Sequence, residues 1–235
     1  MKRIKLHFFS ALTMALLALT ATAHDFEVDG IYYNINGTEA AVTYRGTDYN
    51  QFSNEYSGNV TIPATVTYNG TTYSVTTISA WAFYGCPGLM TIDIPNSVTA
   101  IGFMAFFGCS GLAGNLIIPN SVYFIFDYAF GSSGLTSIFI PKSVSYIGHT
   151  ILIGCDKMAQ ITIENANPKY DSRDNCNAII ETASNTLISG CMNTTIPNSV
   201  TTIGENAFNA CRNLTSISIP NSITTISDGA FSGCI

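Results

Sequence analysis

The side chains of this chain that could do covalent or metal chemistry are few, and their spacing does not assemble them. Nucleophilic catalysis needs a Ser, Cys or Thr beside a base that is itself held by an orienting group. Beyond residue 23 the only histidines are His24 and His149. An amino-terminal His24 could hold copper together with a second histidine, but no motif places His149 beside it. The seven cysteines include no pair with the short Cys-Cys or Cys-His spacing of zinc motifs. Asp156, Asp171 and Asp174 lack the spacing of a calcium loop and read as solvated turn residues. These patterns predict no catalytic residue, no metal and no cofactor, and they send the search to the elements that recur.

A proline that follows isoleucine measures the recurrence: Pro95 to Pro119 is 24 residues, Pro119 to Pro141 is 22 and Pro197 to Pro220 is 23. A period in this range signals a solenoid. Before the proline, Ile94, Ile118, Ile140, Ile163, Ile196 and Ile219 form one apolar column. Ile92, Leu116, Ile138, Ile161 and Ile217 form another two residues earlier. That alternation predicts a short strand. After the proline come inward columns of Val98, Val122, Val144, Val200 and Ile223, then Ile101, Ile125, Ile147, Ile203 and Ile226. An Ala-Phe pair follows (Ala82-Phe83, Ala105-Phe106, Ala129-Phe130, Ala207-Phe208, Ala230-Phe231), which suits one helical turn whose ring plugs the interior.

One repeat cannot fold alone. Ordering its backbone costs about 1–2 kcal/mol per residue, whereas each large apolar group it buries returns only about 1.5–3 kcal/mol. Stacked copies gain strand hydrogen bonds and bury each ring against the next, so stability accumulates through neighbour interfaces. Cys86, Cys109, Cys155, Cys211 and Cys234 share one repeat position. Neighbours in such a column lie about 4.8 Å apart, farther than the usual Cβ separation of about 3.8 Å in a disulfide. They read as core, as does Cys191 in a column otherwise filled by leucine. Cys176 sits in irregular sequence, where it could pair or react.

The unit "IPNSVTTIGENAFNACRNL" at Ile196 to Leu214 resembles the repeat of the bacterial BspA-like leucine-rich repeat family, and the similarity runs from about Val60 to Cys234. The resemblance implies an α/β fold. It would be a right-handed leucine-rich repeat coil with a parallel sheet on its concave face and short helical turns on the other side. It also implies secreted or surface proteins that bind other macromolecules, and no catalytic residues.

Residues 1–23 have a basic start (Lys2, Arg3, Lys5), an apolar stretch to about Leu19 and Ala21-Thr22-Ala23 before His24, the pattern of a secretory signal peptide. The stretch is short for a membrane span of about 20 residues. Residues 24–59 lack the repeat and carry Asp29-Gly30 and Asn36-Gly37 between alternating apolar residues. They predict β-hairpins capping the first coil. Repeats occupy 60–235, with two interruptions. A hairpin near 66–76, with Asn69-Gly70 at its turn, should protrude from the first coil. An enlarged irregular repeat covers 164–196, with strands at Ala178–Glu181 and Thr186–Ser189. The last repeat stops partway, at Gly233-Cys234-Ile235. Without residues 1–23 the chain keeps six basic and fifteen acidic residues. That balance argues against nucleic acid and anionic membrane surfaces.

Function is then expected on outward positions. The residue two before each proline reads Asp93, Ile117 and Phe139 in the first three full repeats, and the pair between the inward Val and Ile reads Tyr123-Phe124 and Ser145-Tyr146 in the middle two. Ile117, Tyr123, Phe124, Phe139 and Tyr146 are expected to form one concave patch, since clustered aromatics make binding hot spots. Trp81, Met104 and Tyr128, just before the Ala-Phe pairs, form a second candidate surface, either exposed or partly buried against the neighbouring coil. The expectation is a non-enzymatic secreted or cell-surface protein (the periplasm being a third destination) that binds a protein partner such as host matrix or another cell's surface. A carbohydrate-binding surface is the alternative, and a structural spacer that self-associates through its last repeat is a third.

Overall fold

The computed structural model describes residues 24–52 and 54–234, so the expected signal peptide lies outside the described residues. The chain opens with β1 (Phe26–Val28), β2 (Ile31–Asn36) and β3 (Glu39–Thr43), then β4 (Gly58–Thr61), β5 (Thr65–Tyr68), β6 (Thr71–Ile78) and β7 (Leu89–Asp93). The middle coils give β8 (Ala100–Ile101), β9 (Gly114–Ile117), β10 (Phe124–Ile125), β11 (Leu135–Ile140), β12 (Tyr146–Ile147) and β13 (Gln160–Ile163). The last part holds β14 (Tyr170–Asp171), β15 (Ile179–Glu181), β16 (Thr186–Ser189), β17 (Thr202–Ile203) and β18 (Thr225–Ile226).

The coils through β12 contribute two strands each and the last two keep only the one after the proline, so the parallel pairing falls into two ribbons where one sheet was expected. The strands before the proline pair as β4-β7 and as β9-β11-β13. Those after it pair as β3-β6-β8-β10-β12 and as β16-β17-β18. The corner between ribbons is a Pro-Asn-Ser-Val turn in most coils: Val98, Val122 and Val200 N–H donate to the carbonyls of Pro95, Pro119 and Pro197 at 3.0–3.1 Å. The turn closes on its own backbone and leaves the valine pointing inward.

The expected helical turns at Ala-Phe are absent, and with them the α component of the fold. Among the described residues the one helical element is a 3₁₀ turn at Arg173–Asn175. The reason is competition for N–H groups. Trp81, Phe83 and Gly85 donate to Phe103, Ala105 and Phe107 of the next coil, at 2.8–2.9 Å. Met104, Phe106 and Gly108 repeat the pattern one coil further on. With every second donor committed to a neighbouring coil, no i to i−4 ladder can form. Only i to i−3 turns remain, such as Tyr84 N–H to Trp81 at 3.0 Å.

Inside the coils the phenylalanines stack face to face: Phe83 on Phe106 at 4.9 Å, Phe106 on Phe130 at 5.5 Å and Phe208 on Phe231 at 5.1 Å. The cysteine column lies beside them as free thiols. Cys109, Cys155 and Cys234 donate at 3.0–3.1 Å to the carbonyls of Phe83, Phe130 and Phe208 in the coil before. Burial pushes the Cys86 and Cys155 thiols up to about 11 and Cys211 to about 12. Cys176 is buried as well, and burial pushes its thiol up to about 11.

At the amino-terminal end β1, β2 and β3 run antiparallel, and β3 joins β6 in parallel. The Asn69-Gly70 hairpin links β5 to β6 as expected, with both residues at positive φ, but it does not project freely. Tyr68 stacks on Phe26 at 4.5 Å, and Val66 and Val75 are buried.

The enlarged repeat divides the core. In β15 Ile179 packs into the first apolar cluster, while Ala178 and Ile180 on either side of it belong to the second. The strand is buried on both faces. Side chains stand in for the missing coil: Ile147 N–H donates to Tyr170 Oη at 3.0 Å, and buried Asn167 donates from Nδ2 to the carbonyls of Pro141 and Val144. In the final coil the same columns open to solvent, with Ile219 and Ile226 exposed.

Two measurements check this account. Phe106→Ala removes the ring between two others and should lower the unfolding free energy by about 3–5 kcal/mol, read from urea denaturation. Iodoacetamide at pH 8 should leave the six buried cysteines unmodified in the folded protein and alkylate them in urea, read by mass spectrometry.

Candidate functional site

The expected single patch is two groups, one on each ribbon. On the first ribbon Ile117 of β9 and Phe139 of β11 are register partners, and Phe139 also faces Thr162 of β13. Ile117 is 63% exposed and Phe139 half-buried. Along this row Thr61, Asp93, Thr195 and Ser218 are exposed too. The outward alternation therefore holds, and Ile117 and Phe139 interrupt a polar row.

On the second ribbon Phe124 of β10 is the register partner of Tyr146 of β12 on one side and Ala100 of β8 on the other. Tyr123 lies 6.5 Å from Phe124 between ring centroids. Tyr123 is 48% and Tyr146 40% exposed. Among the described residues no ring contact joins Phe139 to this group, because the Pro119–Val122 and Pro141–Val144 corners separate the ribbons.

Phe126, which the repeat columns did not single out, joins the second group. It stacks on Phe124 at 6.3 Å and meets Tyr146 at 5.6 Å. Its signal was present in the sequence: the column reads Ser79, Gly102, Phe126, Gly148, Gly204 and Ser227, small at every position but one. The glycines are there for close approach. A Cβ on Gly102 would lie 2.4 Å from the Ala80 nitrogen, and one on Gly148 would lie 2.5 Å from the Asp127 nitrogen. Where glycine would close the stack tightly, the chain places a ring that lies between two other rings. Around it the surface is weakly charged. Asp127 accepts the His149 N–H at 2.8 Å. Burial, with Asp127 nearby, raises the Tyr146 phenol above its ordinary range, so it stays a neutral hydrogen-bonding group.

The second candidate surface is a ladder along the turn side. Tyr49 stacks on Trp81 at 4.9 Å, Trp81 meets Phe103 edge-on at 5.5 Å, and Phe103 meets Tyr128 at 5.8 Å. Tyr84 and Phe107 stack beside it at 5.8 Å. Trp81, Met104 and Tyr128 are all half-buried. All three also have positive φ, between 51° and 58°.

Nothing in these groups is arranged for bond-making. His24 Nδ1 accepts the Gly46 N–H at 3.3 Å, and among the described residues no three His, Cys, Asp or Glu side chains group into a metal site. No helix of the described residues is long and apolar enough to cross a membrane.

A coil of about 23 residues with two parallel ribbons, a proline corner and a stacked phenylalanine column defines a strand-dominated leucine-rich repeat protein. The model of the BspA type leucine rich repeat region matches in six copies over residues 47–179 and 184–235. The chain belongs to that family. Its fold is similar to a leucine-rich repeat protein from Eubacterium ventriosum, at 20% identity and a TM-score of 0.59, over 88% of this chain and 62% of that one. A leucine-rich repeat protein from Bacteroides ovatus is similar at 24% identity and a TM-score of 0.56, over 86% of this chain and 55% of that one. The pneumococcal vaccine antigen PcpA is similar at 17% identity and 0.56, over 91% of this chain and 69% of that one. This chain thus spans less than two thirds of the first and second of these structures. No curated protein matches it.

The outward placement predicts that Ile117→Ser and Tyr123→Ser each shift the unfolding free energy by less than about 0.5 kcal/mol, as exposed positions do, whereas Tyr146→Ser, which loses the ring contact with Phe126, costs about 0.5–1.5 kcal/mol. Thermal and urea melts of the three variants check it.

Proposed function

We propose that the chain is a non-enzymatic binding protein, exported to the cell surface or medium, that holds a protein partner through the aromatic group on its second ribbon. The observation that carries this reading is Phe126. A column that otherwise holds only Gly or Ser carries a ring there, flanked by Phe124 and the exposed Tyr146, with the exposed Tyr123 beside Phe124. Aromatic side chains presented on a rigid sheet bury large areas at little entropic cost and dominate binding energy where they cluster. Family membership supports a binding role, and likeness to a protein described as a vaccine antigen supports exposure outside the cell. Ile117 and Phe139 provide a second apolar contact around the corner. The strands of residues 24–43 act as the cap of the first coil in this reading, since β3 pairs with β6 and leaves that edge of the second ribbon covered.

The full chain is screened against immobilised extracellular-matrix proteins and a glycan array, beside a Tyr123→Ser, Phe126→Gly, Tyr146→Ser variant. The expected result is saturable binding to a protein, weakened at least about tenfold in the variant. Binding confined to glycans, or protein binding that the variant keeps in full, overturns the proposal.

A further inference from the structure

The amino-terminal edge of the first ribbon carries a second site. Among the described residues strand β4 pairs with β7 on one side only. Gly58 and Ile62 N–H donate to the carbonyls of Gly88 and Asp93 at 2.8 and 3.0 Å. Strand alternation then turns the N–H and C=O groups of Asn59 and Thr61 the other way, as an open edge. That edge lines a cleft of about 380 Å³, whose opposite wall is the Asp29-Gly30 turn between β1 and β2. Small-ligand sites span about 300–1,000 Å³, so the space fits a short segment and not a folded domain.

Two further features give the cleft a chemical preference. Tyr33 lines it and is fully buried, and its Oη has no hydrogen-bond partner among the described residues. A buried hydroxyl left without a partner costs roughly 1–3 kcal/mol, and a ligand carbonyl would relieve that cost. The neighbouring Tyr56 Oη is already committed, donating to the Thr43 carbonyl at 2.6 Å and accepting the Tyr32 N–H. The charged residues of the lining are Asp29 and Glu55, with no Lys, Arg or His among them. Burial pushes the Glu55 carboxyl up to about 7, against the pull of the Arg45 N–H bond to it and of the Arg45 charge. Unpaired backbone groups, a free donor and the carboxyls of Asp29 and Glu55 in a lining without cations together describe a peptide strand carrying a cation.

We propose that this cleft takes an extended peptide segment of a partner protein, added as a strand to the outer edge of β4. A lysine or arginine of the segment lies beside Asp29 and Glu55, and one of its carbonyls accepts the Tyr33 hydroxyl. Main-chain bonds to Asn59 and Thr61 give the affinity and the acidic pair gives the preference, as in strand addition generally. The site uses none of the aromatic residues of the second ribbon, so its test stands apart from theirs.

The probe is a set of blocked pentapeptides alternating Val and Thr, with one Lys moved through the five positions. They are titrated at pH 8 into the full chain labelled for NMR. The expected result is saturable shifts at the Asn59 and Thr61 amides, with their hydrogen exchange slowed at least tenfold. Glutamate-for-lysine peptides and peptides N-methylated at alternate amides should lose that response. Asp29→Asn keeps the turn, because asparagine tolerates the φ of +51° found there. It should weaken the lysine peptides severalfold, and Tyr33→Phe should weaken them at every lysine position alike. Asn59 and Thr61 amides already protected in the free protein, no response to any lysine peptide at millimolar concentration, or equal response to the N-methylated peptides would each overturn the proposal.

Discussion

The hydrogen bonds that pass between coils through the Ala-Phe turns constrain everything else in this molecule. Every second N–H of the segment donates to the coil that follows, so the segment must present alternate amides along the stack while its backbone still turns. It does so by placing two residues per coil in the left-handed region. One is in the column Trp81, Met104, Tyr128, Thr150, Asn206 and Gly229, and the other four residues later in Gly85, Gly108, Ser132, Gly154, Ala210 and Gly233. Between them sits the phenylalanine, aimed inward and spaced 4.9–5.5 Å from the next in the first coils. That spacing is close to the separation of neighbouring strands, about 4.8 Å. Ring stack and ribbons therefore advance at nearly the same rate.

The same constraint explains how 33 extra residues enter without ending the stack. On the turn side the coil before the enlarged repeat meets the coil after it directly. Gly154 N–H points to the Asn209 carbonyl at 3.4 Å, and Arg212 and Asn213 bind Asp156 across more than 50 residues of chain. The insertion is accommodated on the strand side, where β15 and β16 form an antiparallel hairpin and β16 hands the parallel pairing on to β17. Gly190 is needed at this junction, since a Cβ there would lie 2.1 Å from the Phe208 ring. The core is split in two by a strand, with Ile179 packed on one side of it and Ala178 and Ile180 on the other.

The residues that build the stack were legible in sequence because each column has one job. Proline-isoleucine, inward valine and the two enlarged-repeat strands follow from apolar alternation within a fixed period, and Asn-Gly and Asp-Gly turns follow from their φ preferences. The helical turns were misread because alanine and phenylalanine are acceptable in a helix and nothing local reports that their amides are taken by another coil. The division of the candidate patch was hidden for a related reason. Ile117 and Tyr123 are close in sequence, but the chain turns a corner between them, and period alone does not say that the two sides are separate ribbons. Phe126 could have been found by asking which residue breaks a column of Gly and Ser. The Tyr33 hydroxyl could not, because its lack of a partner depends on what surrounds it.

The left-handed column also decides how the aromatic ladder on the turn side should be read. A non-glycine residue in this conformation costs roughly 1–2 kcal/mol, least for asparagine and glycine. The chain uses Asn206 and Gly229 in its last coils, but Trp81, Met104 and Tyr128 in its first. The side chains must return that cost. They do so through contacts worth about 0.5–1.5 kcal/mol per aromatic pair: Tyr49 on Trp81, Trp81 on Phe103 and Phe103 on Tyr128. These contacts fasten the irregular segment around Tyr49 to the first coil and tie the first three coils together. The ladder is thus accounted for by packing. The rings of the second ribbon lie outside that ladder, at strand positions and in a column otherwise of Gly and Ser, and Tyr123 and Tyr146 keep exposed faces there.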